Sequence, residues 1–266
     1  MKYEQQQSDF WQRFKKSRQA SLAANAFEGV FKSVINPTAG ERALDVGCGE
    51  GDSLILLDKI GLNVTGLDSS VSMILKAKES FSSRYALKLG QAEDLPFEDN
   101  EFDIVTFINT IGFLDNPVES LREAGRVANR KVFIGFFNPL SPYGFINMFC
   151  GLTGNSFLRS SFSYNIYKVK RMITEAFGNV PMEWTSLVIF PNFLCYGSRK
   201  SYILQKNPFG SFIGVSATIT YRYKTKNISV PLKIKKGYPA VEGMRTDILA
   251  PDSNDSPRIH PYVTEE

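Results

Sequence analysis

With 266 residues, 43% of them hydrophobic and 22% charged, the sequence has the composition of a larger globular domain with ample apolar material for a core. A net charge of +4 is too small for a nucleic-acid footprint, and no apolar run approaches the roughly 20 residues that cross a bilayer. The only histidine, His260, excludes a Ser-His-Asp triad or a multi-histidine metal site within one chain, and Cys48, Cys150 and Cys195 form neither a CxxC pair nor an even disulfide set, so no metal is expected.

Met1 to Lys16 is polar, without an apolar stretch behind a basic start, so no secretory signal is expected and the expected compartment is the cytoplasm. Ser8 to Ile35 reads as a helix, because Ala23, Phe27, Val30, Phe31 and Val34 recur at three- and four-residue steps. Residues 1–36 are therefore expected to form an N-terminal helical cap or lid. From Arg42 the pattern alternates. Strand-like runs fall at Ala43–Val46, Asn63–Leu67, Tyr85–Leu89, Phe102–Ile108 and Lys131–Phe137, with helical stretches at Asp52–Ile60, Val71–Phe81 and Val118–Val127 between them. Short strands joined by helices imply parallel pairing through crossovers and a sheet covered on both faces.

Beyond Asn138 the alternation stops in an aromatic-rich insertion, about residues 139–167, containing Tyr143, Tyr164 and Tyr167. A helix is expected at Ile166–Phe177, then two strands, Trp184–Ile189 and Phe212–Thr220, set antiparallel by a connection through Pro208 and Gly210. The fold class is thus α/β, a doubly wound, mostly parallel seven-stranded sheet with helices on both faces, occupying residues 37–222. Residues 223–266 read as a basic segment followed by an extended or disordered tail.

The informative segment is Asp45-Val46-Gly47-Cys48-Gly49-Glu50-Gly51, where an apolar strand runs into alternating glycines and then a helix. Such glycines let the chain turn sharply and bring main-chain N–H groups close to a ligand. The spacing is GxGxG rather than the GxGxxG of dinucleotide folds, which weighs against a nicotinamide-dependent reductase. Asp45, two residues before the first glycine, would repel a pyrophosphate but suits a cationic ligand, either by contact or by bracing the loop. Asp68 ends the next strand, where doubly wound folds place an acid on a ribose hydroxyl pair; capping the following turn is the plain structural alternative.

These segments, together with Gly66-Leu67-Asp68-Ser69-Ser70-Val71-Ser72-Met73, Gly90-Gln91-Ala92-Glu93-Asp94-Leu95-Pro96-Phe97 and Phe102-Asp103-Ile104-Val105, resemble the successive motifs of class I S-adenosylmethionine-dependent methyltransferases. The ubiquinone/menaquinone methyltransferase-like subgroup is the most similar. The resemblance covers about Arg42 to Phe137 and implies the Rossmann-like methyltransferase fold with S-adenosylmethionine as cofactor. It implies that Gly47, Cys48 and Gly49 run along the methionine part and Asp68 holds the ribose. Ser69 and Met73 would lie beside the adenine, Gln91, Ala92 and Glu93 would frame its edge, and Phe107 would lie near the methionine end. Many members carry Asp where this chain has Gln91, whose amide oxygen can still accept from an adenine amino group.

The implied activity is in-line methyl transfer to a small apolar or aromatic acceptor. An activated methyl needs positioning and exclusion of water more than acid-base machinery, which suits a chain without a usable histidine. No catalytic residue is assigned. Asn109, Asp115, Asn138, Tyr143, Tyr164 and Tyr167 are the polar groups to inspect, each with an ordinary structural role as the simpler reading. Two alternatives stand beside this one. The first is a non-catalytic protein that binds S-adenosylmethionine. The second is a nucleic-acid amino-methyltransferase suggested by Asn138-Pro139-Leu140-Ser141-Pro142-Tyr143, although that run follows the fifth strand, not the fourth, and is one residue too long. Peripheral membrane contact through the apolar residues of Tyr143 to Leu152 is a further expectation for a lipid-like acceptor, against the plainer one of a buried lid.

Overall fold

The computed structural model describes residues 18–81, 83–142, 163–189 and 202–219. Among these, α1 (Arg18–Ile35) precedes β1 (Arg42–Val46), α2 (Asp52–Ile60), β2 (Asn63–Asp68), α3 (Val71–Phe81) and β3 (Ala86–Leu89). Then come β4 (Phe102–Ile108), a 3-10 turn at Ile111–Phe113, α4 (Pro117–Val127) and β5 (Ala128–Phe137). The last elements are α5 (Ile166–Phe177), β6 (Met182–Ile189), β7 (Tyr202–Gln205) and β8 (Phe212–Thr218).

The strands form one sheet in the order β3-β2-β1-β4-β5-β8-β6-β7. Pairings among β1 to β5 are parallel, whereas β5–β8, β8–β6 and β6–β7 are antiparallel. The sheet is doubly wound as expected but has eight strands among the described residues instead of seven. The added strand is β7, whose four residues alternate in burial and form an outer edge too short to stand out in the sequence. Strand β5 also starts earlier than its apolar run, at Ala128. Its polar residues there anchor α1: Arg130 donates to the Ile35 carbonyl at 3.0 Å and Lys131 to that of Val34 at 2.7 Å. Cationic donors at helix carbonyls lacking intrahelical partners complement the negative end of the helix.

Two cores sandwich the sheet. On one face Phe27, Val30, Phe31 and Val34 of α1 pack with Leu57, Ile104, Phe133 and Phe212, the rings of Phe31 and Phe133 lying 4.9 Å apart, edge to face. Burying each such side chain stabilises the fold by roughly 1.5–3 kcal/mol. On the other face Leu121 and Ala124 of α4 and Val169 and Ile173 of α5 cover Val46, Val105, Phe107, Ile134 and Val215. Residues Ser8–Ser17 of the expected first helix, most of the aromatic insertion including Tyr143, and the expected tail lie outside the described residues. No helix among the described residues is long and apolar enough to cross a membrane.

Candidate cofactor and acceptor site

The strand order reverses between β1 and β4, and open α/β sheets hold ligands in the crevice beyond the carboxyl ends of the strands at such a point. Two loops meet there: Gly47–Gly51 after β1 and Asn109–Thr110 after β4.

The first loop is tied down from two directions. The N–H groups of Gly47 and Cys48 both donate to the Leu67 carbonyl, at 2.7 and 3.0 Å, and that of Gly49 donates to Asp68 Oδ2 at 2.8 Å. From the other side the Thr110 hydroxyl reaches the Gly47 carbonyl at 3.2 Å. Gly47 has φ 75°, and a Cβ there would stand 2.2 Å from Thr110 Cγ2. Only glycine permits this close crossing. Gly49, at φ 55°, has no heavy atom within 4 Å of an added Cβ, so its face opens onto free space.

Asp45 lies beneath the loop, 1% exposed. Ser53 of α2 donates to its Oδ2, and Thr106 of β4 donates to its Oδ1 at 2.6 Å. The carboxyl thus braces β1, the start of α2 and β4 together, and of its two expected modes this is the one the geometry displays. Burial pushes its pKa up from 3.8 to about 7 against the two hydroxyl donors, with Asp68 adding repulsion. Burial, followed by Asp45 and Asp68, likewise raises the pKa of the Cys48 thiol. Cys48 is buried in a cluster with Leu54, Ile74 and Tyr85, which keeps its thiol out of solvent.

Asp68 links the β1 loop to the start of α3. Its Oδ2 takes the Gly49 N–H, and its Oδ1 takes the Ser70 N–H at 2.8 Å, so the turn-capping role exists alongside any ligand role. An ionised carboxylate offers about four acceptor directions. Two remain, the number a vicinal diol requires. Ser69 is exposed and Met73 half-buried at the start of α3, where Ser70 Oγ accepts from Met73 N.

The next stretch is more dispersed. Gln91 is exposed and bridges Asp94, and Ala92 is buried. Glu93 turns toward α4 and accepts from Asn116 N at 3.1 Å and Ser120 Oγ at 3.0 Å. Its carboxylate therefore fixes the loop to that helix. Phe107 is fully enclosed in the core under α4, which puts it behind the crevice instead of on its wall.

Thr110, Ser53 and Thr106 belong to this machinery but escape sequence reasoning. Each contributes a single hydroxyl to a partner distant in sequence, which leaves no periodic or glycine signature. Asn138 is spent structurally: its Nδ2 donates to the carbonyls of Pro208 at 2.7 Å and Gly210 at 2.9 Å, and its Oδ1 accepts from Leu140 N. It is fully buried, so it offers no amide to a nucleobase. A cleft of about 480 Å³ at the opposite, amino end of the strands includes Asp58, Arg84 and Tyr85, and Asp58 pairs with both of the others.

The cradle fits a nucleoside bearing a ribose diol joined to an amino-acid end. Asp68 retains acceptor capacity, Gly49 opens to free space, and the first turn of α2 has no side-chain cap. Residues 44–134 match the model of a methyltransferase domain family. A demethylmenaquinone methyltransferase of Staphylococcus aureus is 43% identical over 93 residues, 33% of this chain and 39% of that protein. The chain thus spans about two fifths of the length of the curated relatives it matches.

The methyltransferase fold extends further than that segment. A S-adenosylmethionine-dependent methyltransferase of Thermotoga maritima superimposes with a TM-score of 0.65 at 18% identity, over 80% of this chain and 96% of its own. A Haemonchus contortus phosphoethanolamine N-methyltransferase in complex with S-adenosylmethionine does so with a TM-score of 0.50 at 16% identity, over 79% of this chain and 60% of its own.

Proposed function

We propose that the chain is a S-adenosylmethionine-dependent methyltransferase acting on a small apolar or aromatic acceptor. The carrying observation is Asp68, whose carboxylate accepts one N–H on each oxygen and keeps capacity for two hydroxyls beside the open face of Gly49. Bound S-adenosylmethionine would supply a methyl group on a sulfonium, transferred to an acceptor electron pair while the S–C bond electrons stay on sulfur. In this reading Gly47, Cys48 and Gly49 line the methionine portion with backbone only, Asp68 holds the ribose, and Ser69, Met73, Gln91 and Ala92 surround the base. Asp45, Glu93 and Phe107 support these groups from behind.

The acceptor class is supported by what surrounds the crevice. Phe113 after β4 and Leu140 after β5 are 46% and 44% exposed at the carboxyl ends of their strands. Apolar walls of this kind offer contact area more than hydrogen bonds. In domain terms, residues 37–222 are read as the transferase body, with α1 packed against one face of its sheet.

Calorimetric titration with S-adenosylhomocysteine, followed by labelled methyl donor with a panel of acceptors, tests the reading. Saturable uptake and a methylated product are expected. Absence of uptake defeats the cofactor assignment, uptake without transfer to any acceptor or cell extract indicates a binding protein, and turnover confined to highly charged acceptors defeats the acceptor class.

A further inference from the structure

We propose that the turn carrying Phe209, together with Leu140 and the lysines Lys206 and Lys170, docks on an anionic lipid surface. Phe137 pairs with Phe212, so this turn and Leu140 lie at the carboxyl end of β5, the end that holds the crevice. The fully buried Asn138 joins them. Its Oδ1 accepts from Leu140 N at 3.2 Å, and its Nδ2 donates to the Pro208 and Gly210 carbonyls, at 2.7 and 2.9 Å, one on each side of Phe209. The buried Ser186 hydroxyl holds the Asn207 carbonyl at 2.7 Å, and the Asn207 side chain accepts from Phe209 N at 2.9 Å. A Cβ on Gly210 would stand 2.5 Å from Ser186, so the turn sits directly on the sheet. Yet the apolar side chains it displays stay outside, Phe209 60% and Leu140 44% exposed. A single exposed apolar residue is ordinary, but a ring held outward by a turn that two buried polar side chains brace is a presented one.

Charge selects the partner. Lys206 is exposed three residues before Phe209, and Lys170 of α5 holds its ammonium 4.8 Å over the Trp184 ring. Burial and then repulsion from Lys206 lower the pKa of Lys170, and no carboxylate among the described residues offsets them there. Two cations kept within reach of each other call for an anion between them. Lysine is depleted at protein interfaces, whereas an apolar tip beside lysines suits the headgroup region of a bilayer, where the ring enters the acyl boundary and the ammonium groups reach phosphates. Docked in this way, the chain turns the mouth of its crevice toward the bilayer.

Co-sedimentation of the full chain with lipid vesicles tests this without cofactor. Binding to phosphatidylcholine vesicles containing about one third phosphatidylglycerol is expected, with little binding to phosphatidylcholine alone and release by salt at about 0.5 M. Phe209→Ser should weaken binding about tenfold and Lys206→Gln about fivefold, with melting temperatures unchanged because both side chains are exposed. In Phe209→Trp, brominated acyl chains should quench the added indole. A wild type that binds neither vesicle overturns the proposal, as does binding that both Phe209→Ser and Lys206→Gln leave intact, which places the contact elsewhere on the chain. Self-association that Phe209→Ser abolishes, without vesicle binding, overturns it in favour of a second copy of this chain. Vesicle binding that depends on Phe209 and Lys206, in a chain that takes up no S-adenosylhomocysteine, would uphold this surface and remove only the methyl-transfer reading.

Discussion

The two loops that meet at the switch point are built on opposite terms. After β1, each main-chain donor of Gly47, Cys48 and Gly49 has a partner on β2 or Asp68, and the side chains beneath are locked into one another. After β4, a non-glycine residue sits at positive φ with an enclosed, unpartnered carbonyl oxygen. The contrast teaches how the work divides. A loop whose donors are all paired holds its own shape, whereas one that leaves a buried acceptor unpaired does so at a cost in stability.

The sharpest break of this comparison comes from two glycines two residues apart. Gly47→Ala drives a Cβ into Thr110, whose hydroxyl contacts the carbonyls of both Gly47 and Ile108, and it forces an L-residue into positive φ. A loss of about 3 kcal/mol in chemical denaturation is expected, with cofactor affinity falling by more than about a hundred-fold. Gly49→Ala meets open space, so its cost is about 1 kcal/mol, yet the methyl occupies the cradle and should still weaken S-adenosylhomocysteine binding. Equal destabilisation by the two would show that the loop is not divided into a clamped and an open part.

Next in size is Asp68→Ala. Losing a charge-assisted hydrogen bond of about 1.5–3 kcal/mol should weaken S-adenosylhomocysteine by roughly ten- to a hundred-fold. Loss of the Gly49 and Ser70 contacts should lower stability by about 1 kcal/mol as well. Unchanged affinity in calorimetry, with stability lowered, would confine Asp68 to capping its turn.

The same division explains what was legible in the sequence. The cofactor half announces itself because glycine spacing, a carboxylate after β2 and strand–helix alternation are local patterns, and β1 to β5 fall close to where periodicity puts them. The other half depends on distant pairings. Strand β7 has four residues and earns its place only by pairing with β6, and the start of β5 is polar because it anchors α1. Thr110 and Ser53 act across 63 and 8 residues, so nothing in their neighbourhood marks them. Glu93 and Phe107 show the limit of motif transfer: their positions lie in the right strand-end region, but one side chain is committed to α4 and the other to the core.

The brace beneath the loop gives a prediction with a definite sign. Because Asp45 has a folded pKa of about 7 against an ordinary 3.8, the folded chain holds its proton more tightly than the unfolded one. Its contribution is fully present below about pH 4 and is lost as pH rises through about 7. Asp45→Asn stays neutral throughout. At pH 8 it should therefore be more stable than the wild type by up to about 4 kcal/mol, with the gap closing between pH 7 and pH 4. A gap that is constant with pH, or widens on acidification, would mean the carboxyl is not held protonated in the fold.

The smallest expected effect tests whether the two loops are coupled at all. Thr110→Val keeps the methyl that packs on Gly47 and removes only the hydroxyl shared between the Gly47 and Ile108 carbonyls. One neutral hydrogen bond contributes about 1 kcal/mol, so a stability loss of that size and a two- to fivefold weaker cofactor, roughly, are expected. The informative quantity is the coupling with Gly49→Ala. If the hydroxyl only holds Gly47, the double variant should show additive losses of cofactor affinity within about 0.5 kcal/mol. Coupling well beyond that would mean that the clamp at Thr110 also sets the position of Gly49, and the clamped and open parts of the loop would then act as one.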